Sequence, residues 1–380
     1  MAAGRVSGLL GAPLALQCVG QIWAAQGVTT SSPGSASQGR RLSTCAENSV
    51  SHPSKLRLVQ YNVRGFTTPG GACGVDAISR SLHGLQPAIV CLNEVDVSKK
   101  PEGLRRLAES AGLPHIHFFG HVGGRYGNAL LSRFPILRVS EVHLQGGTEL
   151  EWPVGSGQTR RIKRGMLAAT LAVTPTSTTG VSDQSPSTLT IVCTHLDHID
   201  EAQRLVQMSH ILEEMQSLPS PHILVGDLNA LFADDYSPAE WAAVEQKAVE
   251  NGWSLPCDAA CLRLLLQKGY VDAFRQSSGG ASEGPLPSGL QKFTAHTSRP
   301  MYRIDYALLS PSALEAGLHV ESSFVDLSAS GSDHFPLVVD VSWEAASHPA
   351  WHVPVGSGPG PSEGSGGEAA AVAAAASSRL

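Results

Sequence analysis

Between Pro221 and Ala230 the chain reads PHILVGDLNA: a short apolar run, Ile223 to Val225, stops at Gly226 and delivers Asp227 and Asn229. Side chains alternate across an extended backbone, so Asp227 and Asn229 are expected on one face at a strand's exit. An ionised carboxylate only accepts hydrogen bonds, whereas an amide donates and accepts. Such a pair suits a site that positions a water and holds an anionic oxygen. The same ending recurs along the chain. Lys55–Tyr61 runs into Asn62, Pro87–Leu92 into Asn93-Glu94, and Leu189–Cys193 into Thr194-His195. Asp305 sits within Tyr302–Leu309, and Asp333-His334 precede Phe335–Trp343.

Each of these residues also has a plainer reading. Gly, Asp and Asn are common turn formers. A Glu after a strand is usually solvated, a lone His is usually a satisfied surface or core residue, and Ser332–Pro336 reads equally as a turn. Asp305 is harder to set aside, because a carboxylate inside an apolar strand is costly unless paired. As a set, acids and two His residues at successive strand ends are not explained by turns alone.

The elements that must position them follow from hydrophobic periodicity. Strands are expected at 55–61, 87–92, 115–120, 126–133, 136–144, 166–173, 189–193, 223–225, 302–309, 318–325 and 335–343. Helices are expected at 75–85, 102–111, 200–217, 237–251 and 258–268. The 200–217 helix should bury Leu205, Met208, Ile211, Leu212 and Met215. Residues 145–163 read as an irregular loop with Trp152, 174–188 as a Ser/Thr/Pro-rich insertion, and 276–291 as a Gly/Ser/Pro loop. Many strands with few crossover helices disfavour a doubly wound sheet. They favour two packed, largely antiparallel sheets with helices outside, as one domain over residues 46–343.

Composition narrows the class. The apolar fraction of 42% allows a sizeable core in 380 residues. Net charge is −6, and residues 1–44 hold Arg5, Arg40 and Arg41 without any acid, so the remainder carries −6 less those three, −9. That argues against a protein holding nucleic acid by bulk charge. No apolar run reaches membrane-spanning length. Cys numbers seven, an odd count without a short-spaced framework. Cys91 and Cys193 read as core residues, and Cys257 and Cys261 as reduced and structural, which fits a reducing compartment. Residues 1–45 read as a targeting peptide, mitochondrial by composition, with secreted or cytoplasmic location as the alternatives. Residues 344–380 read as a disordered Gly/Ser/Ala-rich tail.

Seven short motifs stand in order: QYNVR (60–64), LNEV (92–95), GNALLSR (127–133), THLD (194–197), GDLN (226–229), RIDY (303–306) and SDHFP (332–336). Together they resemble the endonuclease/exonuclease/phosphatase superfamily, of the pancreatic deoxyribonuclease and apurinic endonuclease type, over roughly residues 55–343. The resemblance implies a four-layer α/β sandwich with the site at one rim. It implies a Mg²⁺-dependent phosphodiester hydrolase, a nuclease or related phosphodiesterase, with Mn²⁺ as a substitute. The resemblance and the chemistry of the groups together cast Glu94 as ligand of the divalent metal with Asn62 beside it, and Asp333 as an aid at the metal or its waters. Mg²⁺ prefers one or two carboxylates plus water and phosphate, which suits a site without Cys. His334 becomes general base or hydrogen-bond donor, oriented by Asp305. Asp227 positions or activates water, and Asn229 and His195 hold phosphate oxygens. Whether His334 or Asp227 is the base stays open. Asn128 supports the site or substrate. Arg204 reaches a phosphate or is a solvated helix residue. Arg160, Arg161, Lys163 and Arg164 form a basic lip for substrate or a solvated run. The expected partner is a phosphodiester, nucleic acid or nucleotide among the choices, and the expected state is a monomer. A phosphoinositide phosphatase or sphingomyelinase-like phosphoesterase is the second reading, and a non-catalytic binding protein on the same scaffold the third.

Overall fold

The computed structural model describes residues 54–151, 156–173, 188–219, 221–253, 255, 257–278, 286 and 289–343. The targeting segment, the tail from 344, Trp152 and most of the 174–188 insertion therefore lie outside the described residues. In chain order the elements are β1 (Ser54–Asn62), α1 (Val75–Leu85), β2 (Ile89–Asp96), α2 (Gly103–Ala111), β3 (His115–Val122), β4 (Tyr126–Ser132) and β5 (Ile136–His143). Next come β6 (Glu149–Glu151), β7 (Thr159–Arg161), β8 (Gly165–Ala172), β9 (Thr188–His195), α3 (Glu201–Met215), β10 (His222–Asp227), α4 (Pro238–Asn251) and α5 (Ala260–Gln267). The chain continues through β11 (Val271–Asp272), α6 (Ala273–Ser277), β12 (Asp305–Leu309), α7 (Pro311–Glu315), β13 (His319–Val325) and β14 (Leu337–Trp343).

Alternation along the central strands decides the layering. In β2, Ile89 and Cys91 enter the cluster between the sheets, while Val90 and Leu92 face the opposite way toward Ile78 and Leu82 of α1 and Leu107 of α2. In β10, Ile223 and Val225 share that middle cluster, while Leu224 packs with Met208 and Ile211 of α3 and Leu262 and Leu265 of α5. Two sheets packed face to face with a helical layer on each outer side make the four-layer α/β sandwich. With both faces of each sheet covered, most central-strand positions away from the rim carry apolar side chains, and each such Leu or Ile contributes roughly 1.5–3 kcal/mol.

The sheets have orders β13-β14-β1-β2-β4-β3 and β11-β12-β10-β9-β8-β5. Each contains one parallel pair, β1/β2 in the first and β9/β10 in the second, flanked by antiparallel neighbours. A parallel pair needs a crossover connection, and α1 and α3 lie in those connections. The two halves therefore follow one plan, which the sequence does not show as a repeat.

Three local expectations are corrected. Residues 145–163 contain a hairpin, β6 against β7. All six of its strand residues are exposed, so no apolar alternation marked it. In α3, Leu205 is 36% exposed, whereas Arg204 and Gln207 are buried with Met208, Ile211 and Met215. The inward stripe is part polar because it faces a polar site. Within 302–309 the ladder begins only at Asp305, since Tyr302 forms an isolated bridge with Ala295 and the Arg303 and Ile304 N–H groups go to Tyr236 Oη and Thr294 Oγ1.

Candidate active site

Parallel pairing aligns strand ends. Asn62 of β1 lies beside Asn93 of β2, His195 of β9 beside Asp227 of β10, and Asp305 of β12 opposite Asp227. All these ends meet at one rim of the sandwich, and the loop before β14 brings Asp333 and His334 to it. Gly226 permits the approach of β10 to β9, because a Cβ there would stand 1.9 Å from the Thr194 carbonyl oxygen. At Glu94 the β2–β4 ladder shifts register between Leu92 and Val95, and Glu94 takes a left-handed φ of 56°. Such conformations cost of order 1–3 kcal/mol in a non-glycine residue and gather at functional sites.

Asp227 is the centre of the assembly. Asn62 Nδ2 donates to its Oδ2 at 2.9 Å and to Glu94 Oε1 at 3.2 Å. His195 Nε2 lies 3.5 Å and His334 Nε2 3.7 Å from the same Oδ2. His334 Nδ1 is bonded to Asp305 Oδ2 at 2.8 Å. The Asn229 backbone N–H donates to Asp227 Oδ1, so this stretch is an Asx turn as well as a site. Asn229 has φ 49° and donates Nδ2 to the Leu196 carbonyl. Both residues line the cavity, but by the turn rather than by strand alternation, because β10 ends at Asp227.

Four residues that periodicity did not single out hold this centre in place. Asn93 Oδ1 accepts from the Asp227 backbone N–H at 2.9 Å and from Gln60 Nε2 at 2.6 Å. Its Nδ2 donates to Asn128 Oδ1 at 2.9 Å and to the Thr194 carbonyl at 3.0 Å. Gln60 also reaches Asp305 Oδ1 at 3.3 Å. Thr294 Oγ1 accepts from the Ile304 and Asp305 backbone N–H groups, and Ser332 Oγ donates to the Asn62 carbonyl at 2.6 Å. In the sequence Gln60, Asn93 and Ser332 stand inside the motifs without a role of their own, and Thr294 carries no signal.

Protonation follows from burial and neighbours. Burial alone would lower His334, but the charge and hydrogen bond of Asp305, with help from Asp227, raise it to about 10. It is therefore a cation at neutral pH. Burial and the nearby Asp305 charge raise Asp227 to about 7, against the opposing pull of His334. Burial and the Arg164 charge push His195 well below its ordinary value, so it is neutral. Burial and Glu94 raise the Tyr126 phenol, which lines the cavity and stays protonated.

The rim encloses a cavity of about 350 Å³ lined by Glu94, Asp227, Asn229, His195, His334 and Asp333, among others. Asp333 pairs with Arg64 Nε at 3.1 Å. Of the secondary candidates, Asn128 is fully buried and bonded to Asn93 and the Gly165 carbonyl. It cannot touch substrate; it supports Asn93. Arg204 lines the cavity, yet Glu201 Oε2 at 2.6 Å and the Asp197 carbonyl at 2.9 Å hold it, so it is not a solvated helix residue. Arg160 and Arg161 are exposed on β7, Arg161 pairs with Glu149, and neither lines the cavity. The four-residue lip therefore reduces to Arg164, which is buried in the lining.

The donor set suits a hard divalent cation, which takes oxygen ligands. Glu94 is half-buried and lines the cavity, and among the described residues no Lys, Arg or His stands at ion-pair distance from it. Asn62 turns N–H groups toward the carboxylates and its Oδ1 accepts from the Arg64 N–H. It thereby clamps the two acids beside the place where Glu94 would hold an ion. Asp227, Asp305 and His334 also lie close enough to hold an ion, with ligand atoms within 4.8 Å. There the His334–Asp305 bond and the imidazolium charge already compensate the two acids.

A sequence model of the Endonuclease/Exonuclease/phosphatase family matches residues 59–334. The fold is similar to that of an endonuclease/exonuclease/phosphatase from Beutenbergia cavernae, with TM-score 0.50 and 20% identity over 76% of this chain and 72% of that one. It is similar to one from Bacteroides vulgatus, with TM-score 0.53 and 16% identity over 77% of this chain and 100% of that one. It is also similar to the human Nocturnin catalytic domain with bound sulfate, with TM-score 0.50 and 20% identity over 76% and 95%. Comparison with curated proteins gives no match.

Proposed function

The chain belongs to the endonuclease/exonuclease/phosphatase family, and from that premise we propose that it is a Mg²⁺-dependent phosphodiester hydrolase. Members of the family are generally hydrolases of phosphoester bonds, usually with a divalent metal. The observation that carries the reading is the pairing of Asp227, near neutrality in proton affinity, with a cationic His334 in one cavity. An ionisable carboxylate and a protonated imidazole 3.7 Å apart in one cavity supply a base and an acid side by side.

Asp227 accepts the proton of the attacking water, because it is both ionisable near working pH and basic, whereas His334 already carries its proton. His334, held by Asp305, donates to a phosphate oxygen as charge builds on it. Asn229 and neutral His195 stand beside the same oxygen positions. Glu94 would hold the divalent cation, which when bound neutralises phosphate charge. Asn62 fixes Glu94 relative to Asp227, so the metal end and the water end keep one spacing.

The test is a substrate panel of bis(p-nitrophenyl) phosphate, an oligonucleotide and phosphoinositides with Mg²⁺, Mn²⁺ or EDTA. Hydrolysis of the diesters with Mg²⁺, abolished by EDTA and lost in Glu94→Ala, is expected. Asp227→Ala and His334→Ala should each lose at least about 10²–10⁴-fold in kcat while remaining folded. Turnover undiminished in EDTA, or confined to phosphoinositides, would overturn the reading.

A further inference from the structure

Four arginines are buried among the described residues: Arg164, Arg204, Arg275 and Arg303. Three have carboxylate partners. Arg303 pairs with Asp235 and Asp272, Arg275 with Asp235, and Arg204 with Glu201. Arg164, 6% exposed, has no Asp or Glu at ion-pair distance among the described residues. Its NH1 donates to His195 Nδ1 at 3.3 Å and its NH2 to His198 Nδ1 at 3.2 Å, while its buried Nε has no partner. An unpaired buried charge is strongly unfavourable, so an arginine kept this way calls for an anion.

The partners sharpen that conclusion. Arginine is a permanent donor, so both Nδ1 atoms accept and both imidazoles carry their proton on Nε2. Burial and the Arg164 charge hold His195 and His198 neutral. The cluster is thus a single positive charge, and Arg164, His195 and His198 all line the cavity. Arg164 and Asp227 address different nitrogens of the His195 ring, Nδ1 and Nε2. The guanidinium therefore stands one imidazole away from the centre at which the phosphate reacts.

We propose that Arg164 and His198 form a second anion subsite, and that the substrate is a phosphodiester bearing a second phosphate group that docks there. This deepens the hydrolase reading and rests on it for the reacting phosphate. Charge-assisted contacts of guanidinium with phosphate are among the stronger hydrogen bonds.

The experiment compares kcat/KM for a thymidine dinucleotide with a 5′- or 3′-terminal phosphate against the same dinucleotide without one. In parallel, calorimetry compares inorganic pyrophosphate with inorganic phosphate. Wild type should prefer one terminally phosphorylated substrate by about tenfold or more and bind pyrophosphate more tightly than phosphate. Arg164→Gln should bring both ratios close to one, whatever it does to the absolute rate through His195, and Arg164→Lys should restore part of them. Hydrolysis with equal kcat/KM for all dinucleotides and no dependence of the ratios on Arg164 overturns the subsite and leaves the hydrolase reading standing. No hydrolysis of any diester, with Arg164-dependent pyrophosphate binding, leaves an anion subsite and removes the hydrolase. If melting curves show Arg164→Gln unfolded, wild-type pyrophosphate against phosphate binding decides, and equal affinities overturn the proposal.

Discussion

Replacing Asn93 by Ala should damage both stability and turnover, although Asn93 itself is fully buried and outside the cavity lining. The change removes five hydrogen bonds, the weakest of them to Cys193 Sγ at 3.7 Å. Gln60 keeps its bond to Asp305, but the Asp227 N–H, the Thr194 carbonyl and Asn128 Oδ1 lose this partner. Asn128 cannot compensate by turning its amide, because its Nδ2 is held on the Gly165 carbonyl at 2.8 Å. Three orphaned buried groups at about 1–3 kcal/mol each give roughly 3–6 kcal/mol once some relaxation is allowed. That is a large share of the 5–15 kcal/mol typical of a folded domain. Asp227 would also lose the bond fixing its backbone, and a displacement of about 1 Å costs on the order of 10²-fold in rate. Urea denaturation gives the first quantity, with an unchanged slope as the check on two-state unfolding. kcat of the folded variant in Mg²⁺ gives the second. Asn93→Asp should do no better, since an acceptor would then face the Asn128 oxygen and the Thr194 carbonyl. A loss under about 1 kcal/mol with kcat unchanged would refute the view that Asn93 organises the rim.

Further outcomes follow from other groups. Asp305→Asn removes the charge that raises His334, so the alkaline limb of the kcat/KM profile should move from near pH 10 toward neutrality; an unmoved limb would show that His334 does not set it. Arg303→Met leaves Asp235 and Asp272 buried without this partner, and about 3–5 kcal/mol of stability should be lost, measured by thermal or urea melts. His121 is buried, and burial, with Arg164 and His143 nearby, lowers it to about 3. A depressed histidine adds stability that is complete above its unfolded value of 6.5 and is lost as pH falls from there toward 3. His121→Gln should therefore flatten the decline in urea midpoint between pH 7 and pH 5, and an unchanged slope would exclude this contribution.

Much of the architecture was legible because its strands are buried on both sides. Runs such as Ile223–Val225 and Leu189–Cys193 have few other uses, and a parallel pair brings the residues that follow them together. That is why Asn62, Glu94, His195 and Asp227 could be read as neighbours. The β6–β7 hairpin escaped because exposed strands carry no apolar pattern. Asn93 and Gln60 escaped for the opposite reason: a buried amide is betrayed only by partners distant in the chain. Arg164 looked like one of four surface cations, and only burial separates it from Arg160 and Arg161. Asp227 and Asn229 do share the cavity, but a turn with a left-handed Asn229 achieves this, and spacing alone cannot distinguish a turn from a strand.

The first sheet is discontinuous in sequence, and this has a consequence for synthesis. β1 takes β14 as its antiparallel neighbour, with Ser54 opposite Trp343 and Gln60 opposite Leu337. The whole second sheet is translated between them. Until the ribosome has passed β14, one edge of β1 stays open, a ready template for pairing with another nascent chain. Closing so distant a contact is also slow. His334 arrives just ahead of that closing strand, so the nascent polypeptide should acquire its chemistry and its last ladder in the same step.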